Sequence, residues 1–326
     1  MALFKNCRNI LKIIIGCHNN RMIHEYAIKL ADNLPDDFKN TNTPLRIDLV
    51  LEGGMFNGSY LVGALYFLKE MEKRQYITIE RISGCSVGSI AAFLYYIDSL
   101  DMMTYLYKHL TDDFKLQYQL SIIKDFKKYL SERIPEDICK KVNGKLYICY
   151  NNIKTNKKRV KSHYMNVDEI INTIIKSCYI PYLIDGQILY ENKYVDGMNP
   201  YIFNKEENKK ILYLELCNYD KIGNLLNIKN EKTNFHRVLS GLLDIHSFYI
   251  KQTNTHMCSY VNDWSFIHKG GHFIKRMLER CCIYIIFGIL YMKNKMPAEI
   301  EYTFLYKIIT KITHQIFITT LETYCL

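Results

Sequence analysis

The stretch from Thr78 to Ser99 limits most strongly what this chain can fold into. It begins with a run rich in isoleucine, which is typical of a buried strand, and ends with apolar residues at helical spacing. Between them, Gly84 and Gly88 flank Ser86 and leave room for a sharp strand-to-helix turn. Such a turn places the serine hydroxyl over the helix N-terminus, where N–H groups and the helix dipole favour negative charge. A structural turn with an idle serine is the alternative interpretation.

Length, composition and charge indicate a globular protein with an anionic partner. The 326 residues can bury a sizeable core, and 48% hydrophobic residues exclude a disordered chain. The net charge of +10 favours a membrane surface or nucleic acid as partner. A membrane ranks first, and no nucleic acid is expected, because the sequence has neither a dense basic block interleaved with aromatics nor zinc-finger spacing.

The eleven cysteines are scattered, without a Cys-x-x-Cys pair, which predicts reduced thiols in a cytoplasmic protein rather than a disulfide framework.

Residues 1–17 contain no acidic side chain and place Lys5, Arg8 and Lys12 on one helical face. They predict a membrane-surface helix, a transit peptide or a helix packed on the main domain. Residues 31–44 are predicted to form a linker.

A second strand-to-helix loop lies upstream of the serine turn. A predicted strand over residues 46–51 leads into Gly53, Gly54 and Met55, and a helix containing Gly58 follows. Backbone N–H groups of such a loop can approach a ligand closely. The loop lacks the Gly-Lys-Ser/Thr of a phosphate-binding P-loop, so an oxyanion hole for acyl transfer and an ordinary structural turn are the remaining interpretations.

Further along, Asp196 and Gly197 follow the alternating residues 188–195, which predict a strand. α/β folds present catalytic groups from strand ends, although Asp-Gly is also common in plain turns. Ahead of them, Asn166 is predicted to cap a helix, and the basic residues 154–161 are predicted to form a hairpin loop that is solvated or contacts lipid.

The alternation of strands and helices from residue 46 to 217 predicts a mainly parallel sheet with helices on its faces. From about residue 231 the pattern is helical. The uncharged stretch Cys281–Met292 is shorter than the roughly 20 residues of a membrane-spanning helix, so it predicts a buried helix or a monotopic membrane segment. Three parts are expected: residues 1–45, a catalytic domain over 46–217, and a helical region over 218–326.

Taken together, the glycine loop, the serine turn and Asp-Gly resemble the patatin-like phospholipases. That family has Gly-Gly-Gly-x-Arg-Gly, Gly-x-Ser-x-Gly, and Asp-Gly-Gly or Asp-Gly-Ala in the same order. The segments Ser59–Leu65 and Ser177–Pro181 resemble the family's helix after the oxyanion loop and its Ser-Cys-x-Ile-Pro segment. The resemblance covers residues 46–217 and implies a three-layer α/β fold with a mainly parallel central sheet, to which this chain adds a helical C-terminal region.

Carried over residue by residue, the resemblance implies that Ser86 is the nucleophile and Asp196 the base of a dyad. The N–H groups near Gly53, Gly54 and Met55 would form the oxyanion hole. The motif glycines are Gly58, Gly84, Gly88 and Gly197. The implied activity is lipid acyl hydrolysis of the phospholipase A type on phospholipid or another acyl lipid, without a metal or other cofactor.

The chain departs from the family pattern at three positions. Met55 replaces the third glycine, Asn57 replaces the arginine or lysine, and Met198 replaces the last glycine or alanine. These departures keep open an inactive patatin-like protein that binds membranes. A Ser-Asp-His triad of the α/β-hydrolase type is also open, because histidines follow Asp196 in the sequence, among them His236, His246, His256, His268 and His272. A cytoplasmic protein bound peripherally to an anionic membrane is expected, and the sequence indicates no oligomeric state.

Overall fold

The computed structural model describes residues 21–39, 43–218, 220–229, 231, 233–297, 300 and 302–325. The predicted amphipathic helix over residues 1–17, with Lys5, Arg8 and Lys12, lies outside the described residues. Within them, no helix is long and apolar enough to cross a membrane.

The strands follow one another in this order: β1 (Leu45–Leu51), β2 (Ile77–Cys85), β3 (Leu146–Asn152), β4 (Lys157–Lys161), β5 (Tyr194–Val195), β6 (Lys209–Leu214) and β7 (Cys258–Tyr260). The helices are α1 (21–32), α2 (Asp36–Lys39), α3 (Gly58–Lys73), α4 (Val87–Tyr96), α5 (Met102–Gln117), α6 (Phe126–Leu130), α7 (Ile138–Val142), α8 (Val167–Ser177), α9 (Phe235–Lys251), α10 (Phe266–Lys295) and α11 (Phe304–Tyr324).

The described strands form one sheet in the order β4-β3-β2-β1-β6-β7, with β5 paired to β3. The four inner strands β3, β2, β1 and β6 run parallel to one another, and the outer strands β4, β5 and β7 pair with them in the antiparallel direction. Helices cover them, so the last five residues of β1 are buried without alternation, as expected of a parallel strand. The predicted α/β class, with a mainly parallel sheet and a helical C-terminal region, is confirmed.

Three local predictions differ from the structure. The alternation over residues 188–195 forms a hairpin turn and only the two-residue β5, because Glu191 and Asn192 take φ of 48° and 56°. Most of the basic segment predicted as a loop is strand β4, where lysines suit an exposed sheet edge. Finally, β7 adds a strand from a region predicted to be helical.

The closest helix packing in the fold joins α3 to α9, where two glycines allow the backbones to touch. A Cβ on Gly63 would lie 1.8 Å from the carbonyl oxygen of Val238, and one on Gly241 would lie 1.9 Å from that of Tyr60. Side chains larger than hydrogen therefore cannot stand at this crossing without separating the helices. The crossing sets the position of α3, which begins at the glycine-rich loop.

Gly63→Ala should destabilise the fold by about 3 kcal/mol or more, because the added methyl group overlaps backbone atoms of α9. The matched control is Gly288→Ala, also within a helix, where an added Cβ meets nothing within 4 Å. The control should be neutral or stabilise by up to about 1 kcal/mol. Urea unfolding of both variants is the measurement. Equal stability of the two would contradict the assigned crossing.

Candidate active site

Ser86 lies at the apex of the turn between β2 and α4, with φ 50° and ψ −133°. This left-handed conformation is strained for a residue with a side chain. The glycines on either side are required by close packing. A Cβ on Gly84 would lie 2.5 Å from the carbonyl oxygen of Gly88, and one on Gly88 would lie 2.5 Å from that of Leu51. The turn is thus pressed against the end of β1, with the serine side chain at the helix N-terminus.

The glycine-rich loop lies directly against this serine. A Cβ on Gly53 would be 2.9 Å from the Cβ of Ser86, so only glycine permits the contact. Among the described residues, no acceptor takes the N–H of Gly53 or Gly54. Met55 follows with φ 43°. The loop therefore lies beside the serine with these two N–H groups available to a ligand.

Asp196 is buried near Ser86. Its Oδ1 accepts the N–H of Met198 at 2.6 Å, and its Oδ2 is buried without a hydrogen-bond partner among the described residues. Burial raises the pKa of Asp196 to about 6, although the Ser86 hydroxyl opposes the rise. The hydroxyl is thus close enough to act on the carboxylate without forming a regular hydrogen bond to Oδ2. Catalytic hydrogen bonds are often loose in the absence of substrate, and a buried carboxylate with a raised pKa suits a base.

A short segment after α8 connects the serine to the aspartate. Ser177 Oγ accepts the N–H of Ser86 at 2.9 Å and donates to the carbonyl of Cys149 at 2.6 Å. The carbonyl of Tyr179 accepts the N–H of Asp196 at 2.9 Å. The end of α8 and the residues that follow it therefore fix the distance between Ser86 and Asp196, which gives Ser177–Pro181 a structural role in the candidate site.

Helix α10 is linked to Asp196 through the buried carboxylate of Glu279 and the side chain of Asn151. Asn151 donates to the carbonyl of Asp196 at 2.9 Å and to Glu279 Oε1 at 3.0 Å. Glu279 also accepts from Asn199 at 2.9 Å and from Lys158 at 2.8 Å. Lys158 belongs to the basic segment predicted to be solvated or to contact lipid. It is instead paired with Glu279.

The same helix supports the glycine-rich loop. Lys275 donates to Glu52, the residue before Gly53, at 2.8 Å and to Glu215 at 2.5 Å. Glu52 Oε2 also accepts the N–H groups of Leu216 and Cys217 at 2.7 and 2.9 Å. Two charged residues one turn apart on α10 thus fix both sides of the site, which sequence patterns did not reveal.

Each departure from the family pattern has a structural consequence. Met55 and Met198 take φ of 43° and 52°, in the region that favours glycine, so each adds strain where the family has a small residue. Asn57 is buried and accepts from Arg237 Nη1 at 2.7 Å. Arg237 is itself buried and paired with Glu231, so α9 brings a guanidinium to the loop position that lacks one.

An apolar pocket of about 40 Å³ opens beside Ser86. Its lining includes Met55, Phe56, Ile90, Leu110 and Ile180. The volume is far below the ~300 Å³ at the low end of small-molecule sites, so a ligand of that size would have to widen the pocket on binding. The apolar lining next to the Ser86 hydroxyl favours an apolar group of a ligand.

The structure brings the predicted residues together. Gly53, Gly54 and Met55 lie beside Ser86, Gly58 packs on Val87, and Gly197 packs on Cys85 and Cys149. By contrast, none of the described histidines forms a hydrogen bond with Ser86 or Asp196: His236 and His256 approach Glu231 and Asp220, His246 packs on Phe67, His268 meets Ser265, and His272 packs on Trp264. The described residues hold no cluster of three metal-ligating side chains.

Sequence reasoning missed Ser177, Asn151, Glu52, Lys275 and Glu279 as supports of the site. A signal existed for Ser177, which stands in the segment that resembles the family. For the charged pair on α10, the signal is one lysine and one glutamate at i and i+4 within a mostly apolar helix. That spacing puts both on one face, but it does not name their partners.

Three features define the class of protein to which the fold and site point. They are the α/β sheet, the strained serine between a strand and a helix, and the glycine-rich loop beside that serine. Residues 49–199 match the family model of the patatin-like phospholipases, which is slightly less than half of the chain. The mouse (Mus musculus) protein named 1-acylglycerol-3-phosphate O-acyltransferase Pnpla3 is 26% identical over 163 residues, which is 47% of this chain and 39% of the mouse protein.

Among solved structures, VipD from Legionella pneumophila gives a TM-score of 0.30 at 14% identity. That match covers 52% of this chain and 49% of VipD. The chain therefore matches less than half the length of the mouse protein and of VipD.

Replacement of Asp196 by asparagine should stabilise the fold above neutral pH. The pKa of this carboxyl rises from 3.8 to about 6 on folding, so its stabilising contribution is complete below pH 4 and is lost as pH rises through 6. Asp196→Asn removes this loss and should gain up to about 3 kcal/mol in the free energy of unfolding at pH 8. The gain should vanish below pH 4.

Urea unfolding from pH 4 to 8 is the measurement. The control is Asp137→Asn, which changes an exposed carboxyl and should leave the pH dependence of the wild type unchanged. A difference between Asp196→Asn and the wild type that stays constant with pH would contradict the raised pKa.

Proposed function

We propose that this protein is a serine-dependent lipid acyl hydrolase of the phospholipase A type, with Ser86 as nucleophile and Asp196 as base. The observation that carries the proposal is the buried Asp196 carboxylate, whose Oδ2 lacks a partner and whose pKa responds to the Ser86 hydroxyl. A carboxyl with a pKa of about 6 is ionised at neutral pH and still basic enough to accept a proton.

In the first half-reaction, Ser86 Oγ attacks the ester carbonyl carbon while its proton passes to Asp196. The carbonyl oxygen becomes an oxyanion that accepts hydrogen bonds from the N–H groups of Gly53, Gly54 and Met55. When the tetrahedral intermediate collapses, the carbon–oxygen bond to the leaving alcohol breaks and Asp196 returns the proton to that alcohol. The fatty acyl group remains as an ester on Ser86.

In the second half-reaction, water attacks the acyl-enzyme and gives a proton to Asp196. The second tetrahedral intermediate uses the same N–H donors. Its collapse releases the fatty acid and returns the proton to Ser86 Oγ. The apolar pocket beside Ser86 would hold the acyl chain through both steps.

A dyad is favoured over a Ser-Asp-His triad by the surroundings of the carboxylate. The groups with the largest effect on the Asp196 pKa are Ser86, Met198, Glu279 and Lys158, and no histidine is among them. An aspartate that accepts the serine proton directly needs its raised pKa, whereas in a triad the histidine takes that proton.

The acyl-enzyme could also pass its acyl group to a lipid alcohol instead of water. The name of the mouse relative specifies transfer to a 1-acylglycerol 3-phosphate. The chemistry differs only in which hydroxyl attacks the ester on Ser86, so one assay with both acceptors decides between hydrolysis and transfer.

We also propose that the protein is cytoplasmic and acts while peripherally bound to an anionic membrane, since its net charge is +10.

Purified protein should release fatty acid from mixed phospholipid vesicles in the presence of excess chelator. Ser86→Ala and Asp196→Asn should each lower the rate by about 10³-fold or more, because each removes a group that takes part in both half-reactions. kcat/KM should rise with pH through about 6, as Asp196 must be ionised to act as base.

The matched controls are Ser131→Ala and Asp137→Asn, which change an exposed hydroxyl and an exposed carboxyl away from the site. Equal rates from wild type and both site variants would exclude the dyad and favour an inactive membrane-binding protein. Appearance of the acyl group on added 1-acylglycerol 3-phosphate, in place of free fatty acid, would assign transfer instead of hydrolysis.

A further inference from the structure

Helix α10 has two chemically distinct faces. Its inner face carries Lys275, Glu279, Ile283 and Ile286 at spacings of three and four, and the two isoleucines pack with Val195, the residue before Asp196. This face satisfies the charged and apolar contacts that join the helix to the catalytic domain. The rest of the helix surface is exposed along most of its 30 residues.

The outer face of α10 is apolar in spite of this exposure. Ten of its large apolar side chains are each more than half exposed with α11 in place, and six of these lie along the middle of the helix: Phe273, Ile274, Met277, Leu278, Tyr284 and Ile285. A contiguous exposed apolar surface of this kind marks an interaction site. The helix does not qualify as a membrane-spanning segment.

The charges on the same surface identify the partner. The described exposed charged side chains of α10 are all basic, namely Lys269, Arg276, Arg280 and Lys295, while its one acid, Glu279, faces inward. A second copy docked face to face would bring like charges together. Residues 1–17, which carry basic and no acidic side chains, meet the same repulsion. Apolar side chains flanked by lysine and arginine are typical of helices that lie in the interface of anionic bilayers.

We propose that the outer face of α10, defined by those six apolar and four basic side chains, docks on the surface of an anionic phospholipid bilayer. The helix lies in the interface plane, with its apolar side chains inserted among the lipids and its basic side chains at the headgroups. The proposal rests on the proposed function, because a lipid hydrolase must meet its substrate at such a surface. It assigns the membrane contact to a helix beyond the family match, whereas the sequence left both residues 1–17 and the stretch Cys281–Met292 as candidates for that contact.

The test uses the full chain and two double variants with the same change of charge. Ile274→Glu/Leu278→Glu alters two outer-face positions that are 57% and 60% exposed. Leu116→Glu/Met165→Glu alters two positions elsewhere that are 79% and 86% exposed. Flotation with vesicles of phosphatidylcholine, with or without one third phosphatidylserine, measures binding. The outer-face variant should bind at least about tenfold more weakly than the wild type, and the control within about twofold.

A second variant separates charge from apolar insertion. Arg276→Gln/Arg280→Gln should lose the preference for phosphatidylserine and its salt dependence, while weaker binding to phosphatidylcholine persists. Deletion of residues 1–17 should leave most of the binding intact. Thermal unfolding of each variant checks that the fold is retained.

Equal binding by the wild type and both double variants would overturn the proposal, as would loss of binding only on deletion of residues 1–17. Sedimentation that shows a dimer broken by Ile274→Glu/Leu278→Glu would assign the face to a second copy. Hydrolysis of a water-soluble short-chain ester distinguishes a failure of the membrane-docking proposal from a failure of the proposed function. The outer-face variant should retain this activity, whereas Ser86→Ala lacks it if the proposed function holds.

Discussion

The site depends on a close approach of three backbone segments around one strained residue. Ser86 keeps its left-handed conformation because Gly84, Gly88 and Gly53 allow the turn, the end of β1 and the glycine loop to touch. Such a conformation costs about 1–3 kcal/mol and persists only where its surroundings determine it. The N–H of Ser86 is held by Ser177, which adds a fixed point at the end of α8. The strain thus places a hydroxyl beside unpaired donors.

The burial of the Asp196 carboxyl is a second cost in folding stability, and it favours the proposed catalysis. Asp196 is buried and raised in pKa, which weakens the fold at neutral pH and makes the carboxylate a better base. Behind Asp196, Glu279 adds to the rise in this pKa and Lys158 opposes it, while Asn151, Asn199 and Lys158 satisfy the buried Glu279 carboxylate. The support comes from α10, beyond the part of the chain that matches the family.

Much of the fold and the centre of the site could be predicted, because their signals are local. The run of isoleucines before Gly84, the glycines around Ser86 and the cap at Asn166 each act within a few residues. The contacts that could not be predicted join residues that are far apart in the sequence. Lys275 donates a hydrogen bond to Glu52, 223 positions away, and Glu279 accepts one from Asn151, 128 positions away. The strand expected over residues 188–195 is shortened to Tyr194–Val195, because two residues with positive φ make a turn ahead of it.

Covalent labelling tests the central claim, that Asp196 activates Ser86, most directly. A fluorophosphonate reacts with an activated serine, and peptide mass spectrometry locates the adduct. The account predicts a single adduct on Ser86, with a labelling rate that rises as pH passes through about 6 and is lost in the folded Asp196→Asn protein. No adduct, an adduct on another serine, or equal labelling of the Asp196→Asn protein would contradict it.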